Sequence, residues 1–487
     1  MNEIKEVIFM YSDLREWLKK VEEFGELKRI TGVHWDAEMG PLTQLMHEEY
    51  KGRTPALLFD EIPGYPKGYR TLYGHFSTPN RVALTLSLPL NKRKIELVQA
   101  YQEKIKNLKL IPPQFVNDGP ILENVDEGEE VNVLKFPVPR HHELDKARYI
   151  ATASVVITKD PDSEWYNLGT YRSQVYDGKT IGLQITGGKH GRIHRDKYFE
   201  RDEPMKVAIA VGQDPLLYLL SASPVPEGIC EYDYAGGIRG EAIKVIKGKY
   251  TGFPVPAAAE IVIEGETIPG EVKEEGPFGE WTGYYCSKPK PRPYVRVKCV
   301  MYRNNPILCC APQHRPIDET VLLKSITGSA AIWESLNRSD IPDVRGVWQH
   351  EAGAGVRFLV ISIKQRHHGH ARQVLHVASS ACQAAAYNGK WVIVVDEDID
   401  PSDIDEVIWA ITTRFDRVEV IDIIRKAWSS GRDPLVLPEQ GNYNNRILID
   451  ACIPYHRKLR GDFPHVVDVS DQLREKLMKK WENLFNK

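Results

Sequence analysis

Apolar residues near the start of the chain fall at helical spacing. Leu14, Trp17, Leu18 and Val21 occupy i, i+3, i+4 and i+7, which predicts an amphipathic helix over residues 12–24. Ser12 is placed to cap that helix and Gly25 to end it. Short β-type runs follow at 27–30 and 56–59, the second ahead of the turn Pro63-Gly64. This alternation predicts a mixed α/β domain over residues 1–120. Residues 117–130 are acidic, contain glycine and read as a surface linker.

From Thr152 the pattern changes. β-branched runs at 153–158, 206–211, 260–263 and 294–300 are separated by Gly- and Pro-rich turns, which predicts a β-barrel or sandwich over 121–310. Residues 355–363 and 391–395 are nearly continuous apolar runs, as in strands buried on both faces. A helix follows, with Ile404, Val407, Ile408 and Ile411 on one side and Asp400 or Ser402 as its cap. Residues 311–487 therefore read as another α/β domain. An amphipathic helix over 470–485 carries Leu473, Leu477, Trp481, Leu484 and Phe485 on one face. That stripe either folds back on its own domain or docks on another subunit.

Length and composition narrow the class. A chain of 487 residues is too long for one ordinary core, so two or three domains are expected. A net charge of -3 gives no footprint for nucleic acid or an anionic membrane surface. No apolar run approaches the roughly 20 residues that span a bilayer. The first residues, Met1 to Glu6, lack the basic and apolar regions of a signal peptide. The seven cysteines include no Cys-x-x-Cys pair, which fits a reducing cytoplasm and argues against a structural zinc site.

Chemistry concentrates between Trp165 and Tyr285. Glu275 and Glu280 flank Gly-Pro-Phe-Gly, a composition that shapes a loop rather than a helix. Two close carboxylates repel, so one is pushed towards neutrality unless a cation is present. Arg172 is a natural partner, because its planar fork can hold one carboxylate charged. Read alone, the same residues could be exposed loop glutamates and a surface arginine. Asn167, His190 and Glu231 offer amide, imidazole and carboxylate donors for Mn2+ or Mg2+, although their wide separation gives no support by spacing. The small-residue segment 221–228 could expose backbone to an ion, or be a plain loop. His367, His368 and His370 read as a solvated loop, and Asp396 to Asp400 as a helix cap. His314 precedes a polar, capping-type turn. Dinucleotide, P-loop and nucleophile-elbow motifs are absent, which removes local support for those chemistries.

These motifs, in order, resemble the UbiD family of decarboxylases that use prenylated FMN. The likeness runs through residues 11–18 and 25–27, Asn167-Leu168-Gly169-Thr170-Tyr171-Arg172, Pro224 to Gly228, Val255 to Ala257, Glu275 to Glu280, Asp396 to Asp400 and Val407 to Arg414. It implies a mixed α/β fold: an N-terminal α/β domain, a central flavin-reductase-like split β-barrel, and a C-terminal α/β domain whose last helix joins subunits. It implies catalytic roles for Arg172, Glu275 and Glu280. Asn167, His190 and Glu231 would hold Mn2+ (or Mg2+) on the cofactor phosphate, with K+ near Ala222, Ser223 and Glu231. Thr170, Tyr171, Arg172 and Lys189 would line the cofactor, and His314 and Trp428 the substrate.

Lys189 replaces a glutamine of some relatives, and the segment 427–432 departs from acrylic-acid members. The resemblance therefore favours an aromatic or heteroaromatic acid and CO2 as the reacting molecules. A homodimer or homohexamer and a flavin prenyltransferase as cofactor supplier are implied. The alternatives are an acrylic-acid decarboxylase, an accessory carboxylase subunit, or an ordinary flavin oxidoreductase on the same barrel.

Overall fold

The structure is a computed structural model describing residues 11–485, apart from Pro224, Ser287, 416–419, 438 and 440. Met1 to Glu6 and Pro224, read above, lie outside the described residues, as does the side chain of Phe485.

The first helix, Leu14–Glu23, buries the four apolar residues that its periodicity predicts. Its cap is one residue later than expected. The Asp13 carboxylate accepts from the Glu16 amide, while Ser12 donates its amide and hydroxyl to the Glu16 carboxylate. Beside this helix lies a four-stranded sheet in the order Leu27–Thr31, Ala56–Asp60, Arg70–Tyr73, Ile307–Cys309. The last strand arrives from far along the chain and pairs parallel with Arg70–Leu72.

The central sheet has ten strands and is organised on Lys290–Tyr302, thirteen residues long. This strand pairs antiparallel with Thr180–Gly182, Ile261–Thr267, Val272–Glu275 and Asn124–Glu127. One strand can serve four partners because the sheet bends, which bulges allow. The register slips at Glu264/Gly265, where a Cβ on Gly265 would lie 2.3 Å from the Arg296 carbonyl oxygen. The result is a curled half-barrel. Asn124–Glu127 corrects the linker expectation for 117–130, since that stretch is a barrel strand. Ile121 and Val131 are buried around it, and Lys135 pairs with Asp126.

The C-terminal sheet runs Val344–Gln349, Phe358–Ile363, Trp391–Asp396, Tyr443–Asp450, Ile421–Trp428. Its three middle strands are parallel and both edges antiparallel. Helix Ile404–Arg414 is capped by Asp403, not by Asp400 or Ser402. It buries Val407 and Ala410 but leaves Ile408 half exposed. Asp396 and Asp398 are anchors more than caps. Buried Asp396 accepts from Gln365, Ile453 and Lys458, and Asp398 pairs with Arg414. His367 and His368 are exposed, whereas His370 is buried and opens a helix. The terminal stripe does not fold back on its own chain: Leu473, Leu477, Trp481 and Leu484 are all exposed. No helix among the described residues is long and apolar enough to cross a membrane.

Candidate active site

The strand Tyr166–Gly169 ends just before Arg172, and Val272–Glu275 ends at the loop bearing Glu280. Both strands belong to the barrel system, so residues a hundred positions apart meet. Arg172 donates through Nε and Nη2 to both oxygens of Glu275, at 2.7 and 3.0 Å. Its Nη1 reaches Glu280 Oε1 at 2.8 Å. Beneath the guanidinium lies Phe278, 4.5 Å from ring centroid to Arg172 Cζ, and Phe278 packs on Tyr149. The Glu280 loop is pinned at several points. Gly276 N–H donates to Gln174 Oε1, Glu280 N–H to the Tyr284 carbonyl, and Gly283 N–H to the Glu280 carbonyl. Gly276 needs its freedom, with φ at +96°.

A second guanidinium completes the cluster. Arg432, from the segment after the edge strand Ile421–Trp428, donates Nε to Glu280 Oε2 at 3.0 Å and Nη2 to Thr186 Oγ1 at 2.7 Å. Burial pushes the Glu280 carboxyl up, but the Arg432 and Arg172 charges override it and hold Glu280 below the usual carboxylate range. Burial likewise works against the Arg172 cation, and Glu280 and Glu275 reverse that. The expectation that one of two crowded carboxylates is pushed towards neutrality is therefore not met by Glu280. Each carboxylate has a guanidinium of its own.

Sequence reasoning missed Arg432. Trp428 is the residue expected from this segment. Trp428 is more than half exposed, packs on Tyr387 and makes no recorded contact with the cluster among the described residues. The only signal for Arg432 was an arginine in a turn of small residues, which looks like any surface arginine. The turn is fixed by Asp433, which pairs with Arg357 and Lys390, and by Cys286, whose thiol donates to the Arg432 carbonyl. His314 is buried, shares a hydrogen bond with His47 at 2.9 Å and bonds the Arg315 carbonyl. These contacts join it to the N-terminal elements rather than to the Arg172 cluster.

Asn167 and the start of the helix that His190 opens meet at Tyr171, while the His190 ring packs edge-on against Trp165. The Tyr171 hydroxyl accepts from Asn167 Nδ2 at 3.4 Å and from Gly191 N–H at 3.2 Å, and His190 is the first residue of helix His190–Glu200. Glycine is required at 169 and 191, because added Cβ atoms would lie 2.3 and 2.8 Å from the Tyr171 ring. Glu231 opens the helix Glu231–Arg239, and its Oε2 accepts from Leu168 N–H at 2.7 Å. Burial pushes its carboxyl up to about 8. Among the described residues no ion pair to Glu231 is found, so this buried carboxylate could accept a positive partner. Amide, imidazole and carboxylate donors fit a divalent ion. No three His, Cys, Asp or Glu side chains gather among the described residues, so such an ion would depend on the Asn167 amide.

Thr170 Oγ1 bonds the Ser154 carbonyl and Ser221 Oγ, and Ala222 closes the helix Pro215–Ser221. Ser223 Oγ donates to the Leu219 carbonyl and lies 3.2 Å from Thr327 Oγ1 on the helix Glu319–Arg338. Lys189 and Lys324 lie within reach of the Arg432 charge, which adds to burial in lowering both.

Paired carboxylates on a guanidinium, set beside a cation-ready donor set on a curled barrel, define a cofactor-assisted acid–base enzyme rather than a binding module. The comparisons give the family. Models of the 3-octaprenyl-4-hydroxybenzoate carboxy-lyase N-terminal, Rift-related and C-terminal domains match residues 18–101, 114–316 and 321–451. The chain belongs to the UbiD family. An uncharacterized protein of Archaeoglobus fulgidus is 30% identical over 495 residues, covering 98% of this chain and 99% of its own. The vanillic acid decarboxylase of Sedimentibacter hydroxybenzoicus, in open form, superposes with a TM-score of 0.87 at 27% identity, over 98% of this chain and 100% of that one. The UbiD-class enzyme HmfF from Pelotomaculum thermopropionicum, in complex with FMN, gives 0.84 at 29% identity, over 96% and 100%.

Proposed function

We propose that this protein removes CO2, without net oxidation, from an aromatic or heteroaromatic carboxylic acid, using prenylated FMN, and that the reaction can run backwards as a carboxylation. The observation that carries this reading is Arg172 holding Glu275 and Glu280 together at 2.7 to 3.0 Å. A scaffold subunit has no need of that arrangement. The cofactor, when bound, supplies the electron sink for the bond to CO2. The residues supply position, charge and a proton.

Arg172 orients the substrate carboxylate with Nη1, the arm it now spends on Glu280. Glu275 keeps two bonds to Arg172 and fixes the guanidinium plane. Glu280 delivers the proton to the carbon that loses CO2, or removes it in the reverse direction. With both arginines engaged it is ionised. Entry of substrate that draws Arg172 or Arg432 away lets burial raise its pKa and lets it take up a proton.

Asn167, His190 and Glu231 would hold Mn2+ or Mg2+, and the backbone near Ala222 and Ser223 a K+ ion. Thr170, Tyr171 and Lys189 would line the cofactor. A flavin prenyltransferase would provide that cofactor, and the exposed terminal stripe would join subunits in a homodimer or homohexamer. His314 shapes the substrate side only through the wall behind the Glu280 loop. The test is to load the protein anaerobically with prenylated FMN and screen aromatic and heteroaromatic acids for CO2 release and H/D exchange. Absence of both on every acid, with cofactor identity verified by mass and absorption, overturns the reading. Redox turnover with unmodified FMN would replace it with a flavin oxidoreductase.

A further inference from the structure

The loop that carries Glu280 is bracketed by one short stretch of chain, residues 142–149. At one end is Tyr149, buried on the strand Arg148–Tyr149. Its hydroxyl lies 3.4 Å from Glu275 Oε1 and 3.3 Å from Gln174 Oε1. At the other end is Asp145. Its Oδ1 accepts from the Tyr285 hydroxyl at 3.1 Å and its Oδ2 from His142 N–H at 3.2 Å, with Gly279 N–H as a further donor. The His142 ring closes the same corner. Its Nε2 bonds the Gln313 carbonyl at 2.9 Å, and a Cβ on Gly279 would lie 3.1 Å from that carbonyl oxygen and 3.4 Å from His142 Cδ2. Gly279 directly precedes Glu280, and Tyr285 follows the turn in which Glu280 N–H meets the Tyr284 carbonyl.

Asp145 is 2% exposed, and no ion pair to its carboxylate is found among the described residues. A buried carboxylate of this kind is costly unless donors converge on it. Burial pushes the carboxyl up to about 6, while the Tyr285, His142 and Gly279 donors, and Arg140 by its charge, hold it back. Asp145 is therefore ionised at neutral pH and can accept from all three donors at once. Two of the three belong to the Glu280 loop. We propose that Asp145 is a positioning residue for the proton transfer: by holding Gly279 and Tyr285 it fixes the turn between them, and with it the place of the Glu280 carboxylate. The inference rests on the reading of Glu280 as the proton carrier, and Asp145 acts through the loop rather than on the reacting atoms. A carboxylate displaced by about 1 Å can lose about a hundredfold in rate, so such an anchor matters to turnover more than to binding.

The experiment uses the full chain loaded with FMN and follows amide hydrogen exchange by mass spectrometry. Asp145→Asn keeps the size but puts a donor where an acceptor stood. Exchange over residues 276–285 should rise about tenfold, as for the loss of bonds to a charged acceptor. Exchange in the strand Lys290–Tyr302 and the helix Glu319–Arg338 should stay with the unmodified protein, as should FMN affinity. Tyr285→Phe removes one donor only, so the loop should loosen in the same direction by less. Because Tyr285 is partly exposed, that variant decides if Asp145→Asn does not fold. With prenylated FMN bound, and 4-hydroxybenzoate and indole-3-carboxylate as probe acids, kcat of Asp145→Asn should fall about tenfold or more while KM stays within about twofold. Loop exchange that is unchanged, or raised equally throughout the chain, overturns the proposal. So does an unaltered kcat on an acid that is turned over, or a KM that rises alone. A loosened loop with no CO2 released from any acid would leave the anchor standing and defeat the decarboxylase reading. Turnover with a loop indifferent to Asp145 and Tyr285 would do the reverse.

Discussion

Glu231 and Glu280 are both buried, yet they sit on opposite sides of the ordinary carboxyl range. Glu231 faces a backbone amide and, among the described residues, has no ion pair, and burial carries it up to about 8. Glu280 is as buried, but Arg432 and Arg172 hold it down. Burial is common to both, so the guanidinium partners decide the protonation state. The site thus separates a carboxyl that waits for a cation from one that already has two.

The strongest way to break this contrast is to remove the acid itself. Glu280→Gln keeps the shape but cannot carry the proton, and turnover should fall by about 10²- to 10⁴-fold while flavin stays bound. Unchanged turnover in a steady-state CO2 assay would sink the assignment. Next comes the partner. Arg432→Gln takes away one of the two charges on Glu280, so the limb of the pH–rate profile belonging to that carboxyl should move up by about one unit or more. An unmoved limb would mean that Arg172 alone sets the acidity.

The third test acts on Glu231. Its folded pKa of about 8 lies above the ordinary 4.5, so the unfolded chain releases this proton first. Metal-free protein should therefore lose stability as pH climbs from about 4.5 towards 8, and Mn2+ should offset that loss most at the alkaline end. In Glu231→Gln both the slope and the Mn2+ effect should shrink in thermal melts. The same slope in the variant would place the titration elsewhere. The smallest effect is expected from Cys286→Ala, which loses only the thiol bond to the Arg432 carbonyl. Stability should change by less than about 1 kcal/mol, read from the melting curve, with a slight rise in KM.

The contrast also shows what a sequence can disclose. Leu14, Trp17, Leu18 and Val21 announce their helix because its burial is local and periodic. The barrel strands announce themselves by β-branched runs. The strand Asn124–Glu127 does not, since its edge position tolerates the acidic residues that suggested a linker. Arg172, Glu275 and Glu280 were legible through family motifs, but their acidity was not. It depends on Arg432, 152 positions from Glu280, and no local pattern marks which surface-type arginine turns inward. The Asp403 cap and the Asp396 anchor were displaced from expectation for a related reason. Several acidic residues in a row compete, and only three-dimensional neighbours such as Arg414 and Lys458 choose among them.

The strand Ile307–Cys309 crosses back to complete the sheet whose other three strands lie within the first 73 residues. During synthesis, the edge at Arg70–Tyr73 stays bare while roughly 230 further residues emerge, which at 5–20 residues per second takes about ten seconds to most of a minute. The first part of this protein cannot be finished before the middle has been made, so its assembly order is written into a three-residue ribbon.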